Sequence, residues 1–527
     1  MVEQANAEGI LLWENGSEPR TVDPHLSTSK STSAILYSLF DSLVVSDPKT
    51  GLPSNKGAAE SWEISEDRLT YTFKLRPDGV WSNGDPVTAQ HFAYSFERIL
   101  SKRLASRYSY MLYPIKNAEE FNKGEISDFS EVGVKVIDDL TLELTLSSQT
   151  PYLLDLMTHC SWQPVYPPAV EKHGGMLDIN SRWTRPENIV TNGGFLMKEW
   201  IPNKHLKVVK NPKHWDAENI RLNGVTYYPI ENRETAQRAF RREAVHSTYT
   251  IPPHRVVWGK KNLPEQMRIS PALGVYFYRV NIGEPKPGES EERKAIRKTL
   301  SDKRVRQALS YAMDRESICD FLKAGQQPAT HFVPPGTSTY KSPDVLSYDP
   351  EKARKLLAEA GYPEGKGFPK FELIYNTDEA HKHIAEILQE QWSKTLGIDI
   401  TLANQEWKVY LNTVHSMDYQ MARGSWFGDY NDPNTFLDMW LTGGGNNETG
   451  FSNKRYDDLI KQAALAGAEP EKRLAIFQEA EEILLDELPI IPIYFYVNQH
   501  MVHPSVLNWN DNVMDDHYFR FMDVKRP

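Results

Sequence analysis

Three consecutive runs decide the fold class: Phe371-Glu-Leu-Ile-Tyr375, then Asp378-Glu-Ala-His-Lys-His-Ile-Ala-Glu-Ile-Leu-Gln-Glu-Gln-Trp-Ser-Lys-Thr-Leu396, then Gly397-Ile-Asp-Ile-Thr-Leu402. The first run reads as a strand and the second as a helix closed by Gly397, with a further strand over Ile398–Leu402. A strand, helix and strand in that order form a βαβ crossover, expected to be right-handed with its two strands parallel. Just upstream, Asp349-Pro350-Glu351 supplies an N-cap, a proline at the first helical position and an acidic first turn. That helix carries Ala353, Leu356, Leu357 and Ala360 and ends at Gly361.

Farther out, period-two alternation at Leu69, Tyr71, Phe73 and Leu75, and again at Leu140, Leu142, Leu144 and Leu146, predicts strands with one face to a core. From Pro470, Leu474, Phe477, Ala480, Leu484 and Leu488 lie along one helical stripe that gives way to a strand over Ile490–Val497. Strands and helices alternate along the whole chain, so the class is α/β. No short repeat or low-complexity tract is present, and Gly443-Gly-Gly-Asn-Asn447 reads as a surface loop.

At 527 residues the chain has room for about three domains. Its net charge of -11 opposes a phosphate-backbone partner, because that affinity comes from clustered Lys and Arg releasing counterions, so nucleic acid is excluded as a partner. Its most apolar stretch, Leu488 to Val497, is broken by Pro489 and Pro492 and is far short of the roughly 20 apolar residues a membrane span needs. The start, Met1-Val-Glu-Gln-Ala-Asn, has no basic and apolar secretory signal, which leaves a cytosolic chain or a processed one. Cys160 and Cys319 read as two unconnected buried thiols rather than a disulfide framework or zinc site.

Catalytic signatures are missing: there is no G-x-S-x-G elbow, H-E-x-x-H, phosphate-binding loop or dinucleotide fingerprint. His381 and His383 lie two apart on a helix and so on different faces, which argues against joint metal ligation. No catalytic residue, metal or cofactor is expected. What stands out is Asn404-Gln-Glu-Trp407 followed by Ala422-Arg-Gly-Ser-Trp-Phe-Gly-Asp-Tyr-Asn-Asp-Pro433, placed in loops after strands. Residue types alone lean to a tryptophan core cluster with an Asp capping the next helix. The sharper reading is a site for a zwitterionic peptide: flat aromatic walls, one fixed anion and one fixed cation.

The chain resembles the periplasmic oligopeptide-binding family, extracytoplasmic solute-binding family 5, which feeds peptide-importing ABC transporters. The resemblance runs through Asn15-Gly-Ser-Glu-Pro-Arg-Thr-Val-Asp-Pro-His25, Gly57-Ala-Ala-Glu-Ser-Trp62 and Trp81-Ser-Asn-Gly-Asp-Pro-Val-Thr-Ala89. It continues through Trp183-Thr-Arg-Pro-Glu-Asn-Ile-Val-Thr-Asn-Gly193, Asp302-Lys-Arg-Val-Arg-Gln-Ala308, Lys355-Leu-Leu-Ala-Glu-Ala-Gly361 and Tyr375-Asn-Thr377, covering essentially the entire chain.

The resemblance implies a bilobed clamshell of two α/β lobes. The first lobe would comprise 1–40, 165–271 and 489–527, with an extra domain inserted at 41–164, and the second lobe 272–488. It implies a monomer that captures short peptides in a closing interlobe cleft and delivers them to membrane permease subunits, without chemistry. It also implies an exported, periplasmic or otherwise extracytoplasmic chain with its signal removed and, in the precursor, room for a lipid anchor. Residue by residue, Asp429 looks like the partner of the peptide's α-amino group, and Arg423 and His381 look like the groups that meet its C-terminus. Trp407, Trp426, Phe427, Tyr276, Tyr278 and Arg279 look like walls of side-chain pockets, with Tyr108 contributed by the inserted domain.

There are departures from the family's pattern. Arg279 replaces an acidic residue after Tyr276-Phe-Tyr278, Val414 replaces an Arg, Phe321 stands near a Lys position with Lys323 close by, and Thr28 replaces an acidic residue. Arg279 would tilt preference toward acidic side chains unless it pairs with a neighbouring carboxylate. Two other readings stand beside peptide capture: the same fold holding an oligosaccharide, nickel complex or haem, and a peptidase, which no nucleophile, base or metal constellation supports.

Overall fold

The computed structural model describes residues 1–527, the side chains of Pro253 and Lys408 excepted. The chain forms two compact units, one of residues 1–270 with 498–527 and one of residues 271–497.

The alternating runs fold as their periodicity requires. In the first unit Thr70–Leu75 and Thr141–Thr145 pair antiparallel, and Tyr71, Phe73, Leu75, Leu142 and Leu144 are buried. Ala59–Ile64 and Val134–Asp138 flank them and complete a four-stranded antiparallel sheet. A second sheet orders Ile10–Glu14, Gly224–Tyr228, His205–Lys210 and Phe195–Ile201, with only its first pair parallel.

The Asp23-Pro-His25 motif is buried in this unit. Both guanidinium terminal nitrogens of Arg98, which has no exposed surface, donate to the Asp23 carboxylate at 3.0 and 2.6 Å. The Arg98 Nε donates to the Met176 carbonyl, and a terminal nitrogen lies 2.8 Å from His25 Nδ1. Burial first, and then the Arg98 charge, pulls the His25 pKa down to about 3. The ring is therefore neutral, with Nδ1 accepting from Arg98 and Nε2 free to donate to the Gln163 carbonyl 3.1 Å away.

The second unit is built on a six-stranded mixed sheet ordered Gln327–Pro328, Ile490–Met501, Met267–Val280, Met421–Phe427, Phe371–Asn376 and Ile400–Gln405, the second and third of these strands beginning or ending in the first unit. The crossover has the element order and the parallel pairing that the sequence predicts. Phe371–Asn376 and Ile400–Gln405 pair in parallel, and Glu379–Leu396 joins them. The second strand starts at Ile400, two residues later than periodicity suggested, because Gly397 takes the left-handed φ of 68° that ends the helix. Trp392 is fully buried, and its indole N–H donates to the Leu309 carbonyl at 2.9 Å, which satisfies the polar handle of a large ring.

The helix start is fixed by Asp378, whose carboxylate accepts from the Ala380 and His381 amides at 2.8 and 3.2 Å. Asp378→Ala removes about 1 kcal/mol of cap energy. Hydrogen exchange of the first-turn amides should accelerate roughly fivefold, the factor that such a loss implies. Unchanged exchange there would show that tertiary packing alone holds the turn.

Pro470–Glu487 buries Phe477, Ala480 and Leu484, while Leu474 is only partly covered. Cys160 and Cys319 are free and buried. Among the described residues no helix is long and apolar enough to cross a membrane.

Candidate functional site

The site in the second unit grows from strand register. Met267–Val280 and Met421–Phe427 run antiparallel with Tyr278 opposite Arg423 and Val275 opposite Trp426. Arg423 and Trp426 thus lie in a strand, not in the loop expected from their polar and glycine neighbours. Regular backbone hydrogen bonding across the pair outweighs the weak strand propensity of Gly424 and Ser425.

Arg423 is buried, and its guanidinium sits 4.7 Å over the Tyr276 ring. One terminal nitrogen donates to the Tyr496 hydroxyl at 2.9 Å, and its Nε is buried without a hydrogen-bond partner. Among the described residues no Asp or Glu pairs with this guanidinium. Its carbonyl accepts from the Tyr410 hydroxyl and from Arg279.

His381, on the first turn of the crossover helix, reaches the same tyrosine. Its Nδ1 is 3.4 Å from the Tyr276 hydroxyl, and the ring centroids are 5.5 Å apart. Burial first and the Arg423 charge second pull its pKa down to about 4, with Asp378 opposing, so the imidazole is uncharged at neutral pH. Tyr276 and Tyr278 themselves are fully buried, and Tyr276 stacks on Tyr494 at 4.8 Å. These rings form the underside of the cluster, with Arg423 and His381 resting on Tyr276.

The aromatic positions differ in exposure. Trp407 is half exposed, opens the helix Trp407–His415 and stacks on Tyr410 at 6.0 Å. Phe427 is also half exposed and meets Tyr496 at 4.6 Å. Gly274, opposite Phe427 in register, gives that ring its room, since a Cβ there would come within 2.7 Å of it. Trp426 is half-buried, with its indole nitrogen enclosed. Tyr108 belongs to the first unit, where it is half-buried against His159 at 4.7 Å.

Asp429 follows the strand in a bend, its amide donating to the Thr435 hydroxyl at 3.2 Å. Near it are Asp432, which forms a two-point ion pair with Arg473 at 2.7 Å, and Asp438, which accepts from the Asn434 side chain at 2.8 Å. Burial, then the charges of Asp429 and Asp432, push the Asp438 carboxyl up to about 7. Three carboxylates thus share this corner with the Arg473 cation. Asp432 and Asp438 stand close to Asp429, a neighbourhood that residue types did not single out. The spacing Asp429-x-x-Asp432 followed by Asp438 was visible, but not their convergence.

Arg279 corrects one expectation. Its Nε lies 3.1 Å from a Glu448 carboxylate oxygen, and both side chains are mostly covered. The neighbouring carboxylate takes up the charge, so the tilt toward acidic ligand side chains loses its physical basis. Val414 is buried with Tyr410 and Tyr419 in a small core where an Arg could not be solvated. His381 and His383 do not converge: His383 turns to Glu386 at 3.1 Å.

Comparison with known proteins fits this geometry to one class. Residues 55–448 match the family described as bacterial extracellular solute-binding proteins, family 5 Middle. The chain belongs to that family. The periplasmic oligopeptide-binding protein OppA of Salmonella typhimurium is 37% identical over 506 residues, covering 94% of this chain and 89% of that protein. A solved structure of the periplasmic murein tripeptide binding protein MppA, in an unliganded open form, matches with a TM-score of 0.85 at 31% identity, covering 98% of this chain and 97% of that one. The Haemophilus influenzae OppA complex with the peptide RPPGFSPFR matches with a TM-score of 0.74 at 32% identity, covering 98% and 99%.

Proposed function

We propose that this chain is an extracytoplasmic capture protein that binds short peptides and delivers them to the permease subunits of an ABC importer, without chemistry on the peptide. The observation that carries the reading is Arg423. A buried guanidinium with no carboxylate partner is costly unless an anion reaches it. The C-terminal carboxylate of a peptide is such an anion, and uncharged His381 beside it supplies a further hydrogen bond. At the other end Asp429 receives the α-ammonium group. Trp407, Trp426 and Phe427, and Tyr108 from the first unit, offer flat surfaces to ligand side chains, and Tyr276, Tyr278 and Arg279 serve as supporting groups. The relatives named above are binding proteins for oligopeptides and a murein tripeptide, which favours a peptide over a neutral sugar. The protein acts as a monomer, and residues 41–164 form an inserted domain.

Native mass spectrometry of the freshly purified protein, followed by calorimetry with a tripeptide and its C-terminal amide, tests the reading. Co-purified peptides and a large preference for the free carboxylate are expected. A neutral saccharide as the retained ligand, or cleavage of the added peptide, would overturn it.

His381 gives a pH dependence. Its pKa is depressed to about 4 in the free protein, and a bound carboxylate must raise it. Binding should therefore take up a fraction of a proton, with affinity rising as pH falls from about 6.5 toward 4. The protein's own stability moves the opposite way, since a folded pKa below the unfolded value costs stability as pH drops through that window. Calorimetry in buffers of different ionisation enthalpy should find this uptake in the natural protein and not in His381→Gln. Equal uptake in both would remove His381 from the carboxylate end.

A further inference from the structure

In the first unit, His500, Asp515 and His517 converge from two separate stretches of chain. One ligand atom of each lies within 4.8 Å of the others. The Nε2 atoms of His500 and His517 are 2.8 and 3.0 Å from the same Asp515 oxygen, and both rings are buried. Asp515 holds the left-handed φ of 54, uncommon for a non-glycine residue, which aims its carboxylate between the two rings.

The opposite edge of His500 is fixed independently: its Nδ1 lies 3.0 Å from the Thr248 carbonyl, which can only accept. A hydrogen on Nδ1 leaves Nε2 aimed at a carboxylate oxygen, so the position between them must hold a cation, either a proton that makes the ring an imidazolium or a metal ion. A histidine bound through Nε2 with Nδ1–H on a backbone carbonyl is the usual arrangement of a metal-binding imidazole and its supporting partner.

We propose that His500, Asp515 and His517 form a binding site for a divalent transition metal of the zinc class. Two imidazoles and one carboxylate are a borderline ligand set that suits such an ion, with a fourth position left for water. Tetrahedral bonds of about 2.0–2.1 Å place ligand atoms about 3.3 Å apart, so the observed 2.8 and 3.0 Å separations need to open by only a few tenths of an ångström. A small cavity of about 10 Å³, lined by the three ligands with Trp13, Tyr37 and Tyr249, has room for one water or ion. Lys30, also on the cavity wall, is neutralised by Asp516. Trp509 lies tilted against His517 at 4.3 Å and stacks on Trp13 at 5.7 Å, holding the segment that carries two of the ligands. Metal binding would pin this C-terminal segment to His500.

The test uses the full chain, free of any affinity tag and stripped with a chelator, titrated with zinc chloride. One zinc per chain is expected, with a higher melting temperature in its presence and two imidazole nitrogens at about 2.0–2.1 Å by X-ray absorption. His517→Gln and the isosteric Asp515→Asn should each weaken zinc binding more than tenfold, since loss of a supporting partner alone costs 10–100-fold. His383→Ala, on another helix, should leave zinc binding unchanged. No saturable binding at millimolar zinc would mean that a proton fills the position, and would overturn the proposal. So would variants that bind zinc as tightly as the natural protein, or loss of binding in His383→Ala.

Discussion

Asp429→Ala should lower affinity for a tripeptide by on the order of a hundredfold to a few thousandfold. An enclosed ammonium stripped of its partner costs roughly 3–5 kcal/mol, and each tenfold in affinity is about 1.4 kcal/mol. The fold should survive, because Asp429 lies in a bend and the hydrogen bond to the Thr435 hydroxyl comes from its backbone amide, which the substitution keeps. Removing its charge should also ease the repulsion that holds the Asp438 carboxyl up. Acetylating the peptide's N-terminus should weaken binding to the natural protein by a similar factor, and should matter much less to Asp429→Ala. That non-additivity separates a direct contact from general damage. Calorimetry with one tripeptide, free and acetylated, against both proteins decides the matter. Two penalties that simply add would remove Asp429 as the amine anchor.

The second large effect concerns stability rather than binding. Asp23→Ala should destabilise the first unit by about 3–5 kcal/mol, because it leaves the fully buried Arg98 uncompensated. Replacing both partners together, Asp23→Leu with Arg98→Met, should cost far less, since no charge then remains inside. Burial pushes the Asp23 carboxyl up, but the Arg98 charge and hydrogen bonds outweigh it and leave its pKa below the usual value. The pair's contribution is thus fully present above about pH 4 and is lost as pH falls through the lowered folded value. His25, held neutral, adds a loss in the same direction between about 6.5 and 3. Calorimetric melts of the three proteins from neutral to acid pH measure all of this. A loss below about 1 kcal/mol for Asp23→Ala would class the pair with surface ion pairs.

This second case explains what a sequence motif was reporting. Asp23-Pro-His25 marks family resemblance at its face value as a string, but its partners, Arg98 and Gln163, lie 73 to 138 residues away, so nothing local reveals the buried network. Arg279 makes the same point from the other side. Its charge was legible, and its partner Glu448, far along the chain, was not.

The sequence by itself determined the α/β class, the parallel crossover over residues 371–402, the caps at Asp349 and Gly397, and the buried faces of Thr70–Leu75 and Pro470–Glu487. Each of these follows from contacts a few residues apart, which a linear pattern can encode. Only the tertiary structure decided that Tyr276, His381, Arg423 and Tyr496 meet, that Asp429 shares its corner with Asp432 and Asp438, and that two histidines close on Asp515. Those meetings depend on strand order and register. A one-residue slip between Met267–Val280 and Met421–Phe427 would turn Arg423 to the opposite face of the sheet, away from Tyr276.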